Sequence, residues 1–369
     1  MAEITHDPSQ FAADLGAKLA TRSRHVCALL GAGASRACQL PDVAGLQQEV
    51  AQELEEADRK HFEQLLAGRN LEQVLSRLRR IAALLEGDQK IDDLTAPAAE
   101  ALDRSICTVI TQRLNLDRAN LEPMRRFAAW AVRADYHSPL ELFTVNYDLL
   151  LEAALEELRG LWFDGFVGSL GARFKVELVE GLRPDEREAL PSGFVRLWKL
   201  HGSLNWAWHG DPAEIIRLGR AASGEEIAAI YPADTKYEES RRVPFVVLMD
   251  RFRRALHESE SLVLVSGYSF ADDDLNELIY DAAARRPRSE FVVFCFSDIP
   301  EALAERALRT PGLSVVTKDE AILGGQRGKW EREEDAPGVW EGAEFQLGDF
   351  AALAAFLARS QERRNDRDE

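Results

Sequence analysis

The chain has 369 residues, of which 46% are hydrophobic and 29% are charged, a composition typical of a globular protein with a sizeable core. Asp and Glu (63) outnumber Lys and Arg (45), which gives a formal net charge of -18. A surface this acidic repels phosphate backbones and anionic lipids, so we expect direct binding neither to nucleic acid nor to a membrane. A small anionic ligand is not excluded, because backbone amides and helix dipoles hold phosphate without net positive charge.

Four cysteines are spaced like neither a zinc ribbon nor a disulfide framework: Cys27, Cys38, Cys107 and Cys295. We therefore expect reduced thiols, no bound zinc or other metal, and a cytoplasmic protein. The first residues lack the charged and apolar regions of a signal peptide. No stretch approaches the roughly 20 apolar residues that a membrane span requires.

Hydrophobic periodicity predicts the secondary structure in chain order. A lead-in helix covers 10–19 and a buried strand covers 26–30. The pattern is then helical from 46 to about 135, for example over 71–87, where it stops at a glycine. Beyond this block, apolar runs predict strands over 140–145, 194–200, 261–267, 290–297 and 313–317. Helical patterns lie between them over 148–158, 243–259, 272–286 and 299–308.

Apolar strands that alternate with helices predict a parallel sheet covered on both faces, that is, an α/β fold with a Rossmann-like doubly wound parallel sheet and a helical insertion. We predict that 1–45 and 136–347 form this domain and that 46–135 form the insertion. Residues 348–369 are predicted to form a C-terminal helix and a disordered charged tail that covers 359–369. Residues 160–190 are predicted to be irregular. Ligands of such sheets lie at the carboxyl ends of the strands.

The first strand runs into Gly31, Ala32, Gly33, Ala34 and Ser35, small residues that pack a core poorly but allow close backbone approach. Between a strand and a helix, this pattern is typical of a turn that holds an anion at the helix N-terminus. A plain glycine-rich turn explains the same residues equally well.

Three further motifs follow predicted strands. TVNYD, at 144–148, is explained either by an Asn turn with an Asp helix cap or by a ligand site. KLHGSLNW, at 199–206, contains His201, whose alternative role is a hydrogen-bonded structural histidine. In SGYSFADDDLNE, at 266–277, the acids from Asp272 to Asp274 are best interpreted as complementing the dipole of the helix that they open.

The order GAGAS, then PD at 41–42, then TxNxD and HG, resembles the sirtuin family, over about residues 24 to 320. The resemblance implies NAD as the bound substrate, with Asn146 and His201 as catalytic residues beside the nicotinamide ribose and Asp148 near the carboxamide. It implies a diphosphate cradle at Gly31, Ala32 and Gly33, capped by Ser35. The remaining expected NAD-binding residues are Asp42, Thr144, Gly267 and Ser269.

The sequence departs from the sirtuin pattern in two ways: it lacks the cysteines of the zinc module, and several residues in or beside its motifs differ. Sirtuin deacetylases carry two CxxC pairs after HG, whereas Cys295 is the only cysteine here after His201. Val43-Ala44 and Val145 also replace the usual residues of their motifs. GYSFADDD, together with YPADTKY at 231–237, is instead similar to bacterial sirtuin-like proteins of anti-phage defence, which hydrolyse NAD.

We therefore expect an NAD glycohydrolase that serves as a defence effector and depletes NAD on phage infection. The alternatives are an NAD-dependent protein deacylase or ADP-ribosyl transferase, and a non-catalytic sensor of NAD or ADP-ribose. Free NADase activity would kill its host, so we expect control by assembly or by a partner protein. The resemblance implies a homo-oligomer and a co-encoded HerA-type ATPase partner.

Overall fold

The fold is described from a computed structural model, which covers residues 4–180, 190–209, 214–222, 228–230, 243–332, 336–342 and 344–365. Its strands are β1 (Thr5–His6), β2 (Val26–Leu30), β3 (Leu140–Thr144), β4 (Trp162–Phe163), β5 (Phe166–Val167), β6 (Ala172–Phe174), β7 (Val195–Lys199), β8 (Gly202–His209), β9 (Glu214–Arg217), β10 (Ala228–Ile230), β11 (Leu262–Ser266), β12 (Glu290–Phe294), β13 (Leu313–Val316), β14 (Glu320–Leu323), β15 (Gln326–Trp330), β16 (Trp340–Glu341) and β17 (Glu344–Phe345).

The α-helices are α1 (Pro8–Leu19), α2 (Ala32–Ala37), α3 (Val43–Glu53), α4 (Glu56–Leu66), α5 (Leu71–Leu84), α6 (Ala96–Arg113), α7 (Glu122–Arg133), α8 (Leu150–Glu157), α9 (Val176–Glu180), α10 (Phe245–Leu256), α11 (Asp273–Arg285), α12 (Glu301–Arg309) and α13 (Phe350–Asn365). A short 3-10 helix, Leu116–Arg118, joins α6 to α7. Among the described residues, no helix combines the length and the apolar character needed to cross a membrane.

The main sheet has ten strands in the order β1-β15-β14-β13-β12-β11-β2-β3-β7-β4. The seven strands from β13 to β4 are parallel to one another. The order reverses between β11 and β2, because the chain builds outward from β2 in one direction and later returns to add β11 on its other side. The prediction of a Rossmann-like, mainly parallel sheet is confirmed, and this switch point is where such sheets bind ligands.

Strand β2 shows why both faces of the sheet are covered. Its residues alternate between two hydrophobic cores: Val26, Ala28 and Leu30 pack into one, and Cys27 and Leu29 pack into the other. The first core includes the insertion helices and α13, whereas the second is built from α10, α11 and α12. A strand buried on both sides reads as a continuous apolar run, which is why the sequence pattern identifies it.

The insertion consists of helices α3 to α7 and shares one hydrophobic core with β2 and β3. Its last helix packs against α13, with the rings of Phe127 and Phe350 5.5 Å apart. The insertion is therefore held against the sheet by apolar burial, and its position relative to the carboxyl edge is fixed by that core.

Two predictions about irregular backbone were wrong. Residues 160–190 contain β4, β5, β6 and α9, and a second sheet has the order β10-β8-β9-β6-β5. Strands of two or three residues are too short to give an alternation signal. The charged tail is helical as far as Asn365, because α13 begins with an apolar segment packed on α7 and helix propagation from it is favourable. Residues 366–369 lie outside the described residues, as does the 231–237 motif.

The antiparallel strands β14 and β15 and the edge strand β1 were also not predicted. They extend the sheet beyond β13, far from the switch point. The remaining strands and helices that the hydrophobic pattern predicted are present, with boundaries that differ by a few residues.

Candidate active site

Two turns meet at the switch point, after β2 and after β11. The amides of Gly31 and Gly33 donate to the carbonyl oxygens of Ser266 (3.0 Å) and Gly267 (2.9 Å). A Cβ atom on Gly31 would lie 2.5 Å from the Gly267 oxygen, and Gly267 itself has a φ of +66°. The glycines are thus required because one turn contacts the other. Their two amides already have backbone acceptors, which differs from the expected diphosphate cradle.

A chain of side-chain hydrogen bonds connects three of the predicted site residues. Asn146 Nδ2 donates to the Gly31 oxygen (2.9 Å) and to Ser35 Oγ (2.8 Å). Ser35 Oγ donates to Asp148 Oδ2 at 2.5 Å, and the second oxygen of Asp148 accepts from the Leu150 amide at 3.1 Å. A carbonyl oxygen can only accept, so the Gly31 contact fixes which end of the Asn146 amide is nitrogen. The other end, Oδ1, is an acceptor.

The loop that carries Asn146 is held from behind by two buried residues. Thr144 Oγ1 donates to the Leu30 oxygen (3.1 Å) and accepts from the Asn146 amide (3.0 Å). Lys199, at the end of β7, donates through Nζ to the carbonyl oxygens of Tyr147 and Asp148. These contacts fix the backbone between β3 and α8, so the Asn146 side chain is presented in one orientation.

His201 lies two residues after the end of β7 and is buried, with Nε2 3.3 Å from Asp272 Oδ2. Asp272 is the N-cap of α11 and accepts through Oδ1 from the amides of Asp274 (3.0 Å) and Leu275 (3.3 Å). Asp272, Asp273 and Asp274 lie at the N-terminus of α11, as predicted for acids that complement the helix dipole. The pairing of Asp272 with His201 was not predicted, because only the sheet order brings the ends of β7 and β11 to the same edge.

These residues surround a cavity of about 360 Å³, a size typical of small-molecule sites. The predicted residues that line it are Ala32, Ser35, Asp42, Asn146, Asp148, His201 and Ser269. Gly33 and Gly267 line a second cavity, whereas Gly31 and Thr144 line neither and instead support the residues in front of them.

The charge on the wall of the first cavity has one sign. Among the described residues that line it, the five carboxylates are those of Asp42, Glu72, Asp148, Asp272 and Asp273, with no Lys or Arg. Such a wall favours a ligand group that carries positive charge and disfavours an anion.

The helical insertion supplies part of this wall, which sequence reasoning did not predict. Asn70, Glu72, Gln73 and Leu114 all line the cavity. Asn70 caps α5 and forms a reciprocal capping box with Gln73. This capping pattern is recognisable in the sequence as a helix start. No sequence signal indicates that this helix start faces the active-site cavity, because its direction depends on packing.

A second cavity of about 480 Å³ adjoins the first and shares Ala32, Asp42, Val43 and Ser269 with it. It extends toward Arg36, Phe296 and the start of α13. Arg36 is largely exposed and bonds to Asp42 at 3.0 Å, while Asp42 also caps α3. We refer to the two adjoining cavities together as the cleft, in which carboxylates line the first cavity and Arg36 lines the second beside Asp42 and Asp349.

The cysteines do not resemble nucleophiles or metal ligands. Burial raises the pKa of Cys38 to about 11 and that of Cys295 to about 12, so both thiols are protonated near neutral pH. In the described part of the chain, no three His, Cys, Asp or Glu side chains are grouped as a metal site.

Comparison with known families gives one match. Residues 140–316, a little under half of the chain, match the SIR2-like domain family. This segment contains Asn146, His201 and Asp272. It begins after the first glycine turn and the helical insertion, so it includes neither of them. No curated protein matches the chain significantly. A SIR2-like domain implies NAD binding and NAD-related activity, and the match supports a sirtuin-like family for this chain.

Proposed function

We propose that the protein is an NAD glycohydrolase, which cleaves NAD+ to nicotinamide and ADP-ribose. The observation that carries the proposal is the first cavity, where the amide of Asn146 and the imidazole of His201 lie among carboxylates. The nicotinamide ring of NAD+ is cationic, and cleavage of its glycosidic bond proceeds through an oxocarbenium-like ribose. An acidic wall stabilises the positive charge of the nicotinamide ring before cleavage and that of the ribose during cleavage.

The cleft suggests how the substrate is oriented. The nicotinamide end occupies the acidic first cavity, and the adenosine end occupies the second. The diphosphate then passes the residues common to both cavities, near Ala32 and Ser269, where Arg36, paired with Asp42, lines the second cavity. The opposite orientation would put the neutral adenine among the five carboxylates and the cationic nicotinamide ring in the second cavity, which is electrostatically less favourable.

The chemistry follows from the side-chain contacts. The bond between C1′ and the nicotinamide nitrogen breaks, both electrons go to nicotinamide, and the positive charge moves to the ribose. Asn146 Oδ1 accepts a hydrogen bond from a water molecule and positions it for attack on C1′. The water loses a proton to the imidazole of His201, which Asp272 orients through Nε2.

Asp148 has a supporting part in this proposal. Both of its carboxylate oxygens already accept hydrogen bonds, from Ser35 and from the Leu150 amide. We assign it to holding Ser35 and, through Ser35, the Asn146 amide. This differs from the direct carboxamide contact that the sequence resemblance implies.

Water is the acceptor that we favour. The insertion walls the first cavity with Asn70, Glu72 and Gln73, and the cavity volume of about 360 Å³ is typical of small-molecule sites. The sequence also lacks the paired cysteines of the zinc module that sirtuin deacetylases carry.

Product analysis with the purified chain separates the candidate functions. Incubation with NAD+ is expected to release nicotinamide and ADP-ribose in equal amounts, with or without an acylated peptide. Cleavage that requires the peptide would support a deacylase, and tight NAD+ binding without cleavage would support a sensor.

We further propose, on the family resemblance alone, that this activity depletes NAD in the cytoplasm during anti-phage defence. On the same basis we propose a homo-oligomer with a HerA-type ATPase as its partner. Sizing of the purified chain alone and with such an ATPase tests both interactions.

A further inference from the structure

One carboxylate of the first cavity comes from the helical insertion. Glu72 is the second residue of α5, two positions after the Asn70 cap, and lies in the first helical turn, where a negative charge complements the helix dipole. It is half-buried and lines the cavity together with Asn146 and His201. The core that the insertion shares with the sheet fixes this position.

The contacts of Glu72 lead into the catalytic loop. The hydroxyl of Tyr147, the residue after Asn146, donates to Glu72 Oε1. Burial and then the charge of Glu72 raise the pKa of Tyr147 well above its usual range, so this hydroxyl stays protonated and remains a donor. The Asp272 carboxylate acts on the same hydroxyl electrostatically. Glu72, His201 and Asp272 all line the first cavity.

Glu72 differs from the other four carboxylates of the cavity because it combines partial burial with an oxygen that can accept a hydrogen bond from a ligand. The carboxylates of Asp42, Asp148 and Asp272 each use both oxygens, in helix caps, hydrogen bonds or ion pairs. Asp273 is exposed, so water screens its charge. Within the described part of the chain, Glu72 forms its side-chain hydrogen bond through Oε1, which leaves Oε2 as an acceptor for a ligand.

We propose that Glu72 is a further catalytic residue, whose carboxylate faces the ribose and stabilises the positive charge that develops there. This inference rests on the proposed NAD glycohydrolase activity. When the C1′–N bond breaks with its electrons going to nicotinamide, the charge appears on C1′ and the ring oxygen. Glu72 compensates that charge without accepting a proton, while the proton of the attacking water goes to His201.

The test compares Glu72→Gln with two other variants in single-turnover assays. Glu72→Gln keeps the size and one acceptor oxygen but removes the charge, and we expect a loss of about 10²-fold or more in rate. Glu63→Gln removes an exposed carboxylate elsewhere in the insertion and is expected to react at the parent rate. Tyr147→Phe removes the same hydrogen bond but keeps the carboxylate, so a clearly smaller loss than for Glu72→Gln is expected.

A binding measurement supplies a readout that does not depend on turnover. In the Asn146→Ala background, Glu72→Gln is expected to weaken NAD+ binding about tenfold and to change NADH binding less than twofold, because only NAD+ carries a cationic ring. Thermal melting of each variant shows whether it is folded.

Two results would overturn the inference while leaving the proposed function intact. One is a folded Glu72→Gln protein that cleaves NAD+ within about threefold of the parent rate. The other is an equal loss in Tyr147→Phe and Glu72→Gln, since Glu72 would then only anchor the loop. A parent protein that does not cleave NAD+ at all contradicts the proposed function itself.

Discussion

Substitution of Ser35 by Ala tests the hydrogen-bond chain that holds the Asn146 amide. The hydroxyl donates to the Asp148 carboxylate at 2.5 Å and accepts from Asn146 at 2.8 Å, and Ser35 and Asp148 are only 3% and 6% exposed. A hydrogen bond to a charged group contributes about 1.5–3 kcal/mol and a neutral one about 0.5–1.5 kcal/mol. We expect Ser35→Ala to lower the free energy of unfolding by about 2–4 kcal/mol.

The assay is chemical denaturation followed by tryptophan fluorescence, with the NAD cleavage rate measured on the same samples. The denaturant midpoint should fall with an unchanged slope, and the rate should fall because Asn146 has lost one of its two anchors. Ser297→Ala makes the same change at an exposed site and should stay within about 0.5 kcal/mol of the parent. A Ser35→Ala protein with the parent's midpoint and cleavage rate would refute the reasoning.

Three further predictions concern the base, the glycine contact and the effect of pH. His201→Ala should lower single-turnover cleavage by about 10²–10⁴ while NAD binding survives, whereas a lower melting temperature with parental cleavage would make His201 structural. Gly267→Ala should lower the free energy of unfolding by more than the roughly 1–2 kcal/mol that a left-handed backbone costs, because the new Cβ would also lie 2.5 Å from the backbone nitrogen of Ala34. Gly16→Ala, in the open face of α1, should instead raise the melting temperature. Burial alone would raise the pKa of Glu141, but Arg251 and its other partners outweigh burial and hold that pKa well below its usual range. This stabilisation is complete above the unfolded value of about 4.3 and is lost as the pH falls through the folded value. Glu141→Gln should therefore be less stable at neutral pH and should lose less of its stability below about pH 4, as measured by melting temperature against pH.

The sequence predicted the sheet and one side of the site for a physical reason. Strands such as β2 and β11 are buried on both faces and read as apolar runs, and the residues after them must meet at one edge of a parallel sheet. Asn146 and His201 follow two neighbouring strands of that edge, so the sheet order alone brings them close.

The other side of the site depends on packing between distant segments. Glu72 reaches the cavity because the insertion shares a core with β2. Hydrophobic periodicity predicts which face of a helix is buried, but it does not predict which other segment the first turn of that helix contacts. Asp272 was predictable as a helix cap from its local sequence, whereas its second oxygen meets His201 only in the tertiary structure.

The most direct test of the account is single-turnover NAD+ cleavage by the Asn146→Ala variant, with NAD+ binding measured on the same protein. Asn146 joins the glycine turn, Ser35 and the cavity in one set of contacts, and its Oδ1 is the acceptor assigned to the attacking water. We predict that the folded variant still binds NAD+ and releases no measurable nicotinamide on the timescale of the parent. Nicotinamide release by Asn146→Ala at a rate comparable to that of the parent would contradict the assignment of this cavity as the site of cleavage.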